Sequence, residues 1–311
     1  MLALPLFAAA SLALAPTGAS FRFELSLGAE FAAESVTLPR QTLLPDDSLF
    51  SAGGQGGVGL TVYATRVFDD DAPPSLQPYL QRVSELHVDG GASGYSASPS
   101  TGGQLLPGTG YGGHVDLDGT AYLDRFFFAS LGAGVRYRSD TRGSGLYFAT
   151  TTETIAVPVG IAAGPRFGDL RLALGWGVTP TRVGDDVFRV PFWGNVDVEA
   201  YGVVRRRLVL RARVDVYDGG AGAIGNVAVY LARRFELGAF VRGSQEHIYQ
   251  TTLTDAHAGA GLDFEAWTGP RFAIELSDSF DWNRYTDKDS GAVTETDYTN
   301  VISLSFRLRP R

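Results

Sequence analysis

Residues 21–31 read FRFELSLGAEF. Every odd position is apolar (Phe21, Phe23, Leu25, Leu27, Ala29, Phe31), and every even one is polar, charged or glycine. Successive side chains of a strand point to opposite faces, so the alternation marks a strand whose two faces meet different surroundings. Two arrangements produce it. One is a soluble sandwich, with water on one side and a core on the other. The other is a barrel, with lipid outside and a polar lumen inside.

Composition narrows the choice. A chain of 311 residues has room for two ordinary domains or one large barrel. A net charge of −8 and a pI near 5.0 leave no basic face and exclude a nucleic-acid binder. Cysteine is absent, which removes disulfide frameworks, thiolate metal sites and cysteine nucleophiles. The first 21 residues, MLALPLFAAASLALAPTGASF, carry no charged side chain, but Pro5 and Pro16 interrupt them as a helix. An apolar run from Leu6 to Ala15, followed by small residues at Thr17 and Ala19, fits a secretory signal peptide over 1–19. No Lys or Arg precedes that run. Residues 20–311 then form the mature domain, and nothing in them reaches the roughly 18 apolar residues of a spanning helix.

The alternation of the opening stretch recurs along the chain. It returns at Val58–Ala64, Leu86–Ala92, Val115–Leu123, Phe127–Tyr137, Ile155–Ala163 and Leu170–Val178. It continues at Val196–Val204, Leu208–Val216, Val227–Leu231, Phe235–Val241, Ala258–Ala266, Phe272–Leu276 and Tyr298–Leu308. With the first stretch this gives about 14 strands, 12 or 16 being the neighbouring counts. The links alternate as well. Asp124–Arg125, Phe167–Asp169, Arg205–Arg207, Arg233–Arg234 and Thr268–Pro270 are short, whereas 32–56, 95–110, 139–152, 179–190, 217–225, 244–255 and 284–296 read as long. Aromatics gather near the short turns: Phe126–Phe128, Phe235, Trp267, Phe272 and Phe306. A Greek-key sandwich has no reason to alternate its links, whereas a membrane barrel does. The fold expected is all-β, a membrane-spanning antiparallel up-and-down β-barrel.

At this level the sequence resembles the outer-membrane β-barrel proteins of Gram-negative bacteria, over nearly all of its mature length. The resemblance implies an outer-membrane location among lipids, short periplasmic turns, and recognition by the barrel-assembly machinery through a closing strand that ends on an aromatic. Tyr298, Ile302, Leu304 and Phe306 fit that strand, but the chain runs on through Leu308-Arg309-Pro310-Arg311. One short-side link is exceptional. Residues 66–82, RVFDDDAPPSLQPYLQR, read as a long periplasmic turn kept out of the sheet by its prolines. A docking segment for a periplasmic partner is the alternative.

Candidate chemistry lies on the polar faces. Glu85, His87 and Asp89 share one, and His114, Asp116 and Asp118 the next; a hairpin centred between Thr101 and Gly102 would set His87 opposite Asp116 and Asp89 opposite His114. Arg136 lies on the strand that follows. Asp197, Glu199 and Tyr201 face Arg211, Arg213 and Asp215 on a second wall. These lumen-lining charges suit a passive channel for small polar solutes, with inward acids outnumbering inward arginines and so a weak cation preference. A closed, charge-filled barrel acting through its outer loops is the alternative. A hydrolase would use His87 or His114 to polarise a serine or water, but no serine with an oxyanion arrangement is evident. GQGGVG at 54–59 leads into a strand and is no phosphate cradle. Asp287-Lys288-Asp289-Ser290-Gly291 has its glycine one position early for a calcium loop. No cofactor and no metal is expected.

Overall fold

The computed structural model describes residues 21–38, 47–65, 72–101, 107–143, 150–185, 187–202, 207–247 and 252–310. The expected leader lies outside the described residues. Seventeen strand segments follow in chain order: β1 (Phe21–Leu38), β2 (Asp47–Ala64), β3 (Glu85–Thr101), β4 (Gly108–Tyr122), β5 (Phe127–Arg142), β6 (Thr150–Ala156), β7 (Val159–Phe167), β8 (Leu170–Val178) and β9 (Thr181–Val183). Then come β10 (Val187–Arg189), β11 (Phe192–Gly202), β12 (Leu208–Tyr217), β13 (Gly220–Ala232), β14 (Phe235–His247), β15 (Leu253–Trp267), β16 (Phe272–Asp287) and β17 (Val293–Leu308). One short helix, α1 (Gln77–Gln81), lies between β2 and β3.

Every pairing is antiparallel, and β1 pairs with β17 from Leu25↔Leu308 to Thr37↔Thr296, so the sheet closes on itself. Three barrel strands are each written as two segments because a proline interrupts the ladder: Pro158 between β6 and β7, Pro180 between β8 and β9, Pro191 between β10 and β11. Proline has no N–H to give, but its carbonyl still serves. Gly134 N–H donates to Pro158 O at 2.9 Å, Val157 N–H to Pro180 O at 2.8 Å, and Thr179 N–H to Pro191 O at 2.9 Å. Joined across these breaks, the segments make a closed barrel of fourteen strands.

The alternation sorts as lipid outside, lumen inside. Leu27 is 55% exposed, Leu174 69% and Leu262 61%, whereas the inward Glu24, Asp281 and Asp297 are all below a tenth. So many exposed large apolar residues on one continuous face would be untenable in water. On that face Phe235 stacks on Phe264 and Phe272 on Phe306 near the short turns, while Phe280 meets Tyr298 and Tyr111 meets Tyr137 towards the other end. From Phe272 to Phe280 the strand climbs roughly 27 Å, which tilt reduces to about 20 Å, close to the apolar band of such barrels. Phe128 and Trp267, expected in the lower belt, instead point inward and are buried.

The links differ from expectation. Residues 32–38, 47–56, 95–101, 139–142 and 220–225 are strand rather than loop, and the 217–225 link is only the turn Asp218–Gly219. The strands rise past the apolar band, where both faces meet water and the alternation that reveals a strand disappears. Asp287 shows how the far end is trimmed. Its Oδ1 accepts the N–H of Asp289 and Ser290 and the Ser290 hydroxyl, and its Oδ2 accepts the Thr252 hydroxyl at 2.6 Å. Those donors, led by Thr252, pull its carboxyl down to about 2. Asp287 thus caps its own turn and ties it to the neighbouring link through Thr252.

A charged lumen closed at one end

The short-turn end of the lumen is filled by the segment that the sequence presents as an external turn. Among residues 72–84, α1 brings Leu76, Tyr79 and Leu80 against the inward-facing Tyr201, Val209, Ala228 and Tyr230. The Tyr79 ring stacks on Tyr201 at 4.6 Å between centroids and 8° between planes. Burial pushes the Tyr79 hydroxyl up to about 12. Polar contacts tie the segment down on several sides. Ser75 Oγ lies 2.7 Å from the Tyr230 hydroxyl and donates to Glu236 at 3.3 Å. Arg166, 1% exposed, donates through Nη1 to the Tyr79 carbonyl and through Nε to the Gly168 carbonyl at 2.9 Å. Arg309, just past the closing strand, donates to Glu24 at 2.6 Å and to Gln77 Oε1 at 3.0 Å, and lies over the Trp267 ring. The chain's continuation beyond its terminal aromatic thus adds one more tie to the plug, through Gln77. The sequence signal was present: Leu76, Tyr79 and Leu80 repeat at i, i+3 and i+4, a short apolar helix face.

Above the plug the lumen opens into cavities. One of about 370 Å³ has Ser75, Pro78 and Tyr79 as its floor, with Glu85, Arg211, Glu236, Glu265 and Arg307 around it. Arg211 stacks over Tyr201 and Tyr79, and Arg307 is shared by Glu265 at 2.9 Å and Glu275 at 2.6 Å. A second, of about 470 Å³, has Asp89, Asp116, Asp118 and Arg136 on one side and Arg171, Asp197, Glu199 and Arg213 on the other. On the latter wall the register sets Asp197 opposite Arg213 and Glu199 opposite Arg211. Arg213 Nε lies 2.6 Å from Asp215 and 3.8 Å from Asp197; Arg171 reaches Glu199 at 3.3 Å.

The β3–β4 wall has a different register from the one expected. His87 faces Asp118, Asp89 faces Asp116, and His114 faces Gly91. A shift of two residues keeps every side chain on its face, so the alternation cannot detect it. The pairs are therefore diagonal: Asp89 Oδ2 lies 3.1 Å from His114 Nε2, and Asp89 Oδ1 lies 3.4 Å from His87 Nε2. Arg136 approaches Asp116 at 3.5 Å. One donor atom each from Asp89, His114 and Asp116 falls within 4.8 Å of the others. The hydroxyl that meets His87 is Thr61 Oγ1, at 2.8 Å from Nδ1. Thr61 is itself buried, which removes it from reach of a substrate as a nucleophile.

No protein-family model matches the chain, and no curated protein matches it. Solved structures do. A TodX monoaromatic hydrocarbon channel mutant (deltaS2S3) superposes with a TM-score of 0.56 at 9% identity, over 92% of this chain and 90% of that one. A Pseudomonas aeruginosa FadL homologue gives 0.53 at 10% identity, again over 92% and 90%. The chain shares the closed antiparallel β-barrel fold of these outer-membrane proteins. The likeness is one of fold, and it agrees with the closed ladder and the largely apolar exposed belt, which Asp278 and its hydrogen-bond partner Asn300 interrupt.

Proposed function

We propose that the barrel is a passive channel for small polar solutes with a weak preference for cations, closed at its periplasmic end by the 72–84 plug. The observation that carries this reading is the roughly 470 Å³ lumen cavity charged on both walls, with Asp89, Asp116, Asp118 and Arg136 on one and Asp197, Glu199, Arg171 and Arg213 on the other. Opposed charges across a narrow, low-dielectric space orient a polar solute and disfavour an apolar one. One of the similar structures is a monoaromatic hydrocarbon channel; the charged lining here argues for a different solute class. Passage requires the plug to move, and its hold is local: one short helix, a patch of apolar contacts and a few hydrogen bonds.

The cation preference rests on inward carboxylates outnumbering inward arginines. Reversal potentials across a KCl gradient test it. Open channels should reverse on the cation side at low salt and lose that bias towards 1 M, where the screening length falls to about 3 Å. Anion selectivity would overturn the charge assignment. The buried Glu24–Arg309 pair beneath the plug favours a second reading, a permanently closed structural barrel, which predicts no conductance whatever is done to the plug.

A further inference from the structure

The β3–β4 wall differs from the other histidine site of the lumen in a way that points to a ligand. His257 Nε2 lies 2.9 Å from Asp281, but Arg242 also grips that carboxylate through Nε at 2.7 Å and through Nη2. That acid is already neutralised. On the β3–β4 wall three carboxylates, Asp89, Asp116 and Asp118, share among the described residues one contacting guanidinium, Arg136, which is itself 63% exposed. Charge of that density beside two imidazoles favours a cation between them.

We propose that Asp89, His114 and Asp116 bind one divalent cation of the borderline class, Zn²⁺, Ni²⁺ or Cu²⁺, in the lumen wall. Ligand atoms about 2.1 Å from a tetrahedral metal lie about 3.4 Å from one another. The 3.1 Å between His114 Nε2 and Asp89 Oδ2, with an Asp116 oxygen inside the same 4.8 Å group, is close to that spacing before any metal is bound. Imidazole with carboxylate suits these ions better than Ca²⁺ or Mg²⁺, which prefer oxygen alone. The supporting contacts are of the kind such sites use. His87 braces the carboxylate, its Nε2 lying 3.4 Å from Asp89 Oδ1 and its Nδ1 2.8 Å from the Thr61 hydroxyl. Glycines make the room. A Cβ at Gly91 would come within 2.8 Å of His114 Cε1, and one at Gly134 would overlap Asp116 Oδ1. With three protein ligands a fourth position stays open to the cavity, as in sites where metal meets solvent or solute.

The test uses the untagged full chain refolded in detergent, each variant first checked for heat-modifiable gel migration as evidence of a closed barrel. Calorimetric titration with Zn²⁺ should give one saturable equivalent. One equivalent of Cu²⁺ should give an electron paramagnetic resonance spectrum with imidazole nitrogen coupling. His114→Ala should remove the nitrogen coupling and, like the near-isosteric Asp116→Asn, weaken Zn²⁺ binding about tenfold or more. His257→Ala should leave both signals unchanged. Absence of saturable binding, binding that survives His114→Ala and Asp116→Asn, or binding lost in His257→Ala would each overturn the proposal.

Discussion

The plugged end of the lumen and the β3–β4 wall use the same side chains to opposite effect. Below, Arg309 and Glu24 are each less than a tenth exposed, and the guanidinium is further engaged by Gln77 and the Trp267 ring. Above, Arg136 meets Asp116 at 3.5 Å with most of its side chain in the open lumen. Both are arginine–carboxylate pairs facing inward. The buried one acts as a clamp, because removing either partner strands a charge out of water. The exposed one is a lining, loosely held and replaceable by water or ions. Burial, more than residue type, separates the clamp from the lining.

The largest effect should come from Arg309→Ala. It leaves Glu24 buried and unpaired and lets go of Gln77, at a cost of about 3–5 kcal/mol. Urea unfolding of the barrel in lipid vesicles measures it, and a cost under about 1 kcal/mol would erase the distinction between the two ends. Next comes Leu210→Arg on the lipid face of β12, where Leu210 is 42% exposed between Leu208 and Ala212. If it lies near the bilayer midplane, it should lose about 2–4 kcal/mol. The neighbouring Arg211 carries the same charge inward, against Tyr79 and Tyr201. Folding of Leu210→Arg as stable as wild type would reverse the face assignment. The smallest effect should be that of Arg136→Ala, at about 1 kcal/mol or less. A larger loss would show that the β3–β4 wall is braced like the plug.

How much of this was legible in the sequence follows from what each pattern can encode. Phe21–Phe31 announced a strand, and its repeats gave fourteen, because each face met one solvent throughout. The same rule concealed the upper strands: around Gly53–Gly57 and Gly220–Gly225 both faces are wet, and no alternation remains. Faces were legible but register was not, since His87 opposite Asp116 and His87 opposite Asp118 place the same atoms in the lumen. The expected Asp89–His114 contact survives as a diagonal one, while the two-residue shift sets Asp116 opposite Asp89 and adds a second carboxylate to that pair. The prolines of 72–84 read as an exit from the sheet and mask the short apolar face of Leu76, Tyr79 and Leu80. Trp267 and Phe128 were placed in the aromatic belt by proximity to turns, where parity alone would have turned them inward.

The central claim is that a charged, conducting lumen is closed by the plug at its short-turn end. Single-channel recording in planar bilayers tests it most directly, comparing wild type with a variant whose residues 72–82 are replaced by a Gly-Ser linker of equal length. Wild type should be silent or open only briefly, and the variant should show sustained conductance steps. Matching traces from the two proteins, whether both silent or both open, would contradict it.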